Sequence, residues 1–126
     1  TAPMQQYSTD PTWKRISFSD FYQNYYNSDY YHYDNVAKMS YLGKNNVGSA
    51  NDEFWSYNDE QSIKDKISYV WNQSLGGTII WELKSGYVPT AAAGSKIPQL
   101  NYIHNQNSSL FSAQNMQCGT ATAVKN

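Results

Sequence analysis

A helix followed by a glycine pair and an apolar, β-branched run is the feature that most constrains the fold of this chain. Asn58 or Asp59 is suited to cap the helix, which is predicted over residues 60–72. After the glycines, residues 78–83 form a strand-like run that is apolar apart from one Thr and one Glu. Such runs are usually buried on both faces, as in parallel sheets. With a strand predicted at residues 53–57, the order strand, helix, strand indicates an α/β barrel or doubly wound sheet.

The part of the chain before this unit has a different pattern, typical of a small α+β module. Aromatic residues recur at helical spacing over Phe18–Tyr26, so a short helix is predicted there. Tyr-rich strands are predicted at residues 30–34 and 36–42. The Tyr cluster within residues 22–33 could line a cleft, although packing of the helix and strands is the more ordinary role for it.

A soft boundary near residue 57 divides the chain into an α+β module at residues 1–57 and an α/β part at residues 58–126. Residues 96–104 are predicted to form a short helix, because their apolar residues fit helical spacing. Residues 105–126 are polar, and their pattern favours neither helix nor strand.

Composition excludes several classes of partner. The net charge of −1 leaves no electrostatic footprint for nucleic acid or an anionic membrane, and no apolar run is long enough to span a bilayer. Cys118, His32 and His104 have no neighbours at metal-ligand spacing, so neither a metal nor another cofactor is expected. With 12 Tyr, 4 Trp and only 15% charged residues, the composition suits either an aromatic core or a surface that meets sugars. Because the chain starts at Thr1 rather than Met, we expect residues upstream of it.

Two motifs carry a resemblance to a known family. The first is Tyr-Asn-Asp-Glu-Gln-Ser at Tyr57–Ser62, and the second is Leu-Gly-Gly-Thr-Ile-Ile-Trp-Glu-Leu at Leu75–Leu83. In order and spacing they resemble the C-terminal part of the family 18 glycoside hydrolases, the chitinases. The resemblance implies an α/β fold with an α+β insertion: the C-terminal portion of a (β/α)8 TIM barrel with a small antiparallel insertion domain. Residues 1–57 would be the insertion domain, and residues 58–126 the last barrel segments.

The resemblance also implies roles for two tryptophans. In the family, the Trp at the position of Trp81 forms the floor under the sugar at the cleavage point. Without the resemblance, a Trp in an apolar strand is more simply a core residue. Trp13 is a second substrate-binding candidate, on the cleft wall, with packing as an equal alternative. The family commonly carries an acidic residue after this Trp, whereas this chain has Lys14.

No catalytic residue is predicted in this chain. The family's general acid ends an Asp-x-x-Asp-x-Asp-x-Glu motif, which this sequence lacks. Glu82 follows Trp81 and would point to the other side of the strand, and Asp59 suits a helix cap, so both are interpreted as structural.

By resemblance, the whole enzyme would hydrolyse β-1,4-linked N-acetylglucosamine polymers with retention. This chain would supply a cleft wall and the sugar-stacking floor. Its partners would be chitin or N-acetylglucosamine oligomers and the remainder of the same enzyme chain, and secretion is expected because chitin lies outside most cytoplasms. A free-standing carbohydrate-binding module and a catalytically inactive, lectin-like relative remain alternatives.

Overall fold

The computed structural model describes Pro3, residues 14–47 and residues 51–117, with side chains of the last helix up to residue 113. Within these residues the chain forms three α-helices and a three-stranded antiparallel sheet. Two short 3-10 turns lie at Ser28–Tyr30 and Lys84–Gly86. The elements in chain order are α1 (Phe18–Asn24), β1 (Tyr31–Asp34), β2 (Met39–Lys44), β3 (Glu53–Tyr57), α2 (Glu60–Asn72) and α3 (Pro98–Gln117).

The sheet has β2 at its centre and buries one face under helices. Leu42 of β2 lies opposite Tyr31 of β1 and Trp55 of β3, so these three side chains share that face. α1 covers it through Phe21, whose ring centroid lies 4.6 Å from that of Tyr57. The small antiparallel sheet expected from the sequence is therefore present.

α2 packs on the same face of the sheet and is joined to it by side-chain hydrogen bonds. The Tyr33 hydroxyl of β1 donates to the Asp65 carboxylate of α2. Burial and this bond together raise the pKa of Tyr33 to about 12. The apolar core lies between the sheet, α1 and α2 and extends under the chain that precedes α3. Its buried members are Phe21, Leu42, Ile63, Ile67 and Val88.

Side-chain caps fix the starts of α1 and α2. The Ser17 hydroxyl accepts from the backbone N–H of Asp20, and α1 runs from Phe18. At α2, Asp59 and Ser62 form a reciprocal capping box, each side chain accepting from the backbone N–H of the other. The predicted helix over residues 60–72 is confirmed at both ends. The Tyr31 hydroxyl also donates to Asp59 over 2.9 Å, which ties β1 to the start of α2.

The environment of Asp59 favours its ionised form. Burial opposes ionisation, but hydroxyl groups and the backbone N–H of Ser62 stabilise the carboxylate and hold its pKa below the ordinary value. The nearby Ser40 hydroxyl contributes to this effect without meeting the geometry of a full hydrogen bond.

We expect Asp59→Ala to lower the free energy of unfolding by about 0.5–2 kcal/mol at neutral pH, the usual cost of losing an N-cap. Because the pKa of Asp59 is depressed in the folded state, its charge stabilises the fold above the unfolded pKa. That contribution is lost as the pH falls through the folded pKa, below about pH 4. Urea unfolding followed by circular dichroism at several pH values measures both effects.

Asp59→Asn is the matched control, since Asn caps helices about as well as Asp but carries no charge. It should keep most of the stability at neutral pH and lose the pH dependence that Asp59 adds. Equal stability of the Ala variant and the wild type at neutral pH would contradict the capping role.

The strand predicted at residues 78–83 is not formed among the described residues. The backbone there forms no ladder, and Ile79 and Trp81 are 93% and 91% exposed. A strand needs a neighbour for its N–H and C=O groups, but the described strands β1 to β3 pair only with one another. The parallel, barrel-like part of the expected fold is therefore not formed within these residues. The division of the chain at residue 57 stays a prediction.

Other boundaries also differ from the sequence predictions: α1 ends at Asn24 rather than Tyr26, β1 begins one residue later, and β2 ends two residues later. β2 begins at Met39 rather than at residue 36, because the Asp34 carboxylate accepts from the backbone N–H groups of Val36 and Ala37 and holds a turn there. The short helix predicted at residues 96–104 is instead the first part of α3, which runs from Pro98 to Gln117. α3 packs along α2. This packing stabilises a longer helix than the weak hydrophobic pattern of the segment predicts.

Candidate functional site

Trp81 lies in a bend on the surface, with its indole almost fully exposed to solvent. The peptide bond that joins it to Glu82 is cis. In this chain Trp81 is therefore not a core residue. An exposed indole presents a flat apolar face with a polar N–H at its edge, which matches the apolar face and hydroxyl rim of a sugar ring.

The loop that carries Trp81 is anchored at both ends. On the N-terminal side, the backbone N–H of Leu75 donates to Val70 O of α2. On the C-terminal side, Val88 is 2% exposed and its N–H donates to Lys96 O over 2.7 Å. Between these anchors, the Ser85 hydroxyl donates to Glu82 Oε1 over 2.8 Å. Among the described residues, the Glu82 side chain thus has a local hydrogen-bond partner, which supports a structural role for it.

The residues around Trp81 form an exposed apolar run. A series of large apolar side chains this exposed in one short segment is typical of a surface that another part of a protein covers. We call this series the apolar run; its members are Leu75, Ile79, Ile80, Trp81 and Leu83.

The second predicted site residue, Trp13, lies outside the described residues. Its neighbour Lys14 is described, and the Lys14 ammonium lies 5.9 Å from the ring centroid of Tyr25. The Lys14 side chain therefore ends beside the C-terminal end of α1. Of the two residues predicted to contact the sugar, Trp81 and Trp13, the described part of the structure contains only Trp81.

A cleft between the end of α1 and the sheet is lined in part by the Tyr cluster within residues 22–33, for which a cleft-lining role was the less ordinary of the two interpretations from the sequence. It has a volume of about 330 Å³ and contains Tyr25 and Trp55, whose ring centroids are 4.7 Å apart. The Trp55 indole N–H donates to Glu53, which also pairs with Lys44 at 3.3 Å. Glu53 and Trp55 are two residues apart in a predicted strand, so the sequence already places their side chains on one face of β3. The approach of α1 was not visible in the sequence, and the cleft exists only because of it.

The carboxyl groups with shifted pKa values all favour the ionised form. The indole N–H of Trp55 and the ammonium of Lys44 hold the pKa of Glu53 below its usual range, against the effect of burial. The backbone N–H groups of Ala37 and Val36 lower the pKa of Asp34. Asp59 behaves in the same way. Since a general acid in a glycosidase needs a raised pKa, none of these three is suited to protonate a leaving-group oxygen.

The described residues offer little for other chemistries. Among them, no group of three or more His, Cys, Asp or Glu side chains is placed to hold a metal ion. His32 instead stacks on Tyr41, with ring centroids 5.0 Å apart. No helix within the described part is both long and apolar enough to cross a membrane.

Comparison with known proteins gives consistent matches. The family model for glycosyl hydrolases family 18 matches residues 4–86. Chitinase A1 of Niallia circulans is 38% identical over 77 residues, which is 57% of this chain and 10% of that protein. Chitinase ChiA of Flavobacterium johnsoniae is 35% identical over 63 residues, 48% of this chain and 4% of that protein. A probable endochitinase of Caenorhabditis elegans is 33% identical over 52 residues, 41% of this chain and 8% of that protein.

The chain thus spans a tenth or less of the length of each of these relatives. Among solved structures, the chitinase domain of the spore coat protein CotE from Clostridium difficile aligns with 75% of this chain and 26% of its own length. The TM-score is 0.41 and the sequence identity 23%.

Proposed function

This chain belongs to family 18 of the glycosyl hydrolases, and from that premise we propose that it is one part of a chitinase that cleaves β-1,4-linked N-acetylglucosamine polymers with retention of configuration. The observation that carries the proposal is the family match over residues 4–86, which includes the whole antiparallel sheet, α2 and Trp81. The names of the matched relatives agree with this substrate class.

Within the enzyme, we place β1 to β3 and α1 in an insertion domain, and α2 with residues 78–83 in the last part of the barrel. The apolar run supports this placement, because its exposed apolar side chains are typical of a surface that another part of the protein covers. Neighbouring strands from the remainder of the enzyme would pair with residues 78–83 and cover that run.

Trp81 would then lie near the C-terminal end of a barrel strand, which is where barrel enzymes build their sites. Its indole would stack on the apolar face of the sugar at the cleavage point, and Trp13 would contact the sugar chain from the cleft wall. In this arrangement the chain binds and orients the substrate, while the general acid comes from elsewhere in the enzyme. The three carboxylates with lowered pKa values agree with that division of roles. A polymer substrate outside the cell implies that the enzyme is secreted.

The stereochemistry of the first product tests the proposal. In family 18 the N-acetyl group of the substrate acts as the nucleophile, so two inversions at the anomeric carbon leave the β-anomer. The complete enzyme that contains this chain, mixed with a soluble chitin oligomer and followed by proton NMR, should release the β-anomer before mutarotation. The 126-residue chain alone should release nothing, because it lacks the acidic motif.

Two outcomes would contradict the proposal. Initial release of the α-anomer would exclude the retaining mechanism. Tight binding of chitin oligomers by the complete protein without hydrolysis would make it a lectin-like relative.

A further inference from the structure

We propose that Asn72 is an acceptor for an N-linked glycan when the chain passes through a secretory pathway that supplies lipid-linked oligosaccharides. The inference rests on the secretion expected from the proposed function. The sequence contains two Asn-x-Ser triplets, at Asn72–Ser74 and Asn107–Ser109, and such triplets are glycan acceptors where they are accessible on the surface. The structure separates the two by their local geometry.

The first triplet lies where a helix ends. Asn72 is the last residue of α2, Gln73 is its C-cap, and Ser74 has a positive φ of 52°. All three residues are exposed. Because no further helical turn follows, the end of α2 can open at small cost, as helix termini generally do. The Ser74 hydroxyl can then approach the Asn72 amide at the cost of the backbone hydrogen bonds from Ser74 and Leu75. The buried Ile63 and Ile67 lie earlier in α2 and keep their packing.

The second triplet lies inside α3, with helix on both sides. Residues two positions apart on a helix do not face each other, so Ser109 cannot approach the Asn107 amide while α3 is intact. Both side chains are also engaged: Asn107 Oδ1 accepts from the Trp71 indole N–H over 3.2 Å, and the Ser109 hydroxyl donates to Asn105 O over 2.9 Å. Use of this triplet would open the middle of α3 and break both bonds.

The transfer is a redox-neutral substitution at a sugar carbon. The Asn72 amide nitrogen forms a bond to C1 of the oligosaccharide, and the bond from C1 to the diphosphate oxygen of the lipid carrier breaks. The lipid diphosphate leaves with the electron pair, and the amide loses one proton. The donor is a polyprenyl diphosphate oligosaccharide, which the host membrane and its transferase supply.

A glycan at this position is compatible with the proposed enzyme. Asn72 precedes residues 78–83 in the chain, so it would lie at the end of the barrel where that strand begins. Barrel enzymes build their sites at the opposite end, where strands finish. The glycan would therefore stay away from Trp81 and the sugar cleft.

The test is to direct the chain through the secretory pathway of a eukaryotic host with a host leader sequence. The intact mass of the chain, recovered from cells and medium, is measured before and after enzymatic removal of N-linked glycans. We expect one glycan per chain. Asn72→Gln should remove it, and Ser74→Ala should remove it too, although Asn72 is kept. Asn107→Gln is the matched control and should leave the glycan in place.

A wild-type chain without a glycan would overturn the inference, as would a glycan mass that is the same in the wild type and in both the Asn72→Gln and Ser74→Ala variants. Because the readout is the mass of the chain and not chitin hydrolysis, either result leaves the proposed function standing. Conversely, a complete protein that binds chitin without cleaving it would not change the expected mass.

Discussion

Replacing Trp81 with Ala in the complete enzyme is expected to lower the turnover of a soluble chitin oligomer by roughly ten- to a hundredfold. An aromatic stack is worth about 1–3 kcal/mol, by analogy with the stacking of nucleic-acid bases on aromatic side chains. The loss appears in turnover if the stack is strongest when the sugar is distorted in the transition state. Since the indole is 91% exposed in the 126-residue chain, its removal should not disturb the core formed by the sheet, α1 and α2.

Two variants in the same loop serve as controls for this experiment. Trp81→Phe keeps a flat ring and should retain more turnover than Trp81→Ala. Glu82→Gln should affect stability more than turnover, because Glu82 accepts a hydrogen bond from Ser85 in its own loop. Circular dichroism checks that each variant is folded. A folded Trp81→Ala enzyme with unchanged turnover and affinity would show that Trp81 does not stack on the substrate.

Leu42→Ala is expected to lower the free energy of unfolding of the chain by about 2–5 kcal/mol, the usual range for truncating a buried Leu. Leu42 is 2% exposed and lies in the central strand, between Tyr31 and Trp55 and beneath the helices. Its truncation leaves a cavity that the neighbouring strands and the helices above them cannot easily fill. Against a total stability of about 5–15 kcal/mol for a typical domain, this is a large share. Urea denaturation followed by circular dichroism gives the difference.

The control for this prediction is the same chemical change at an exposed position. Leu83 is 49% exposed, so Leu83→Ala should change the stability of the 126-residue chain by much less. Similar losses for the two variants would mean that the sheet and helices do not form one core around Leu42.

The sequence predicted best the elements whose signals are local. The limits of α2 and β3 depend on residues close together in the chain, and the structure has both where they were predicted, with Asp59 rather than Asn58 as the cap of α2. β2 begins three residues later than predicted, because the Asp34 carboxylate binds backbone N–H groups that the strand would otherwise use. Capping and turn interactions join residues three or four positions apart, so they can be predicted from a short stretch of sequence.

For this protein, the sequence by itself determined the family resemblance, the capped helix α2, the antiparallel strands and the choice of Trp81 as the residue to test. Only the tertiary structure decided the length of α3, which depends on packing against α2, and the Tyr25–Trp55 cleft, which depends on α1 meeting the sheet. It also decided that residues 78–83, strand-like in composition, form no strand here. The physical reason is that a helix satisfies its hydrogen bonds within its own segment, whereas a strand can satisfy them only with a neighbouring strand.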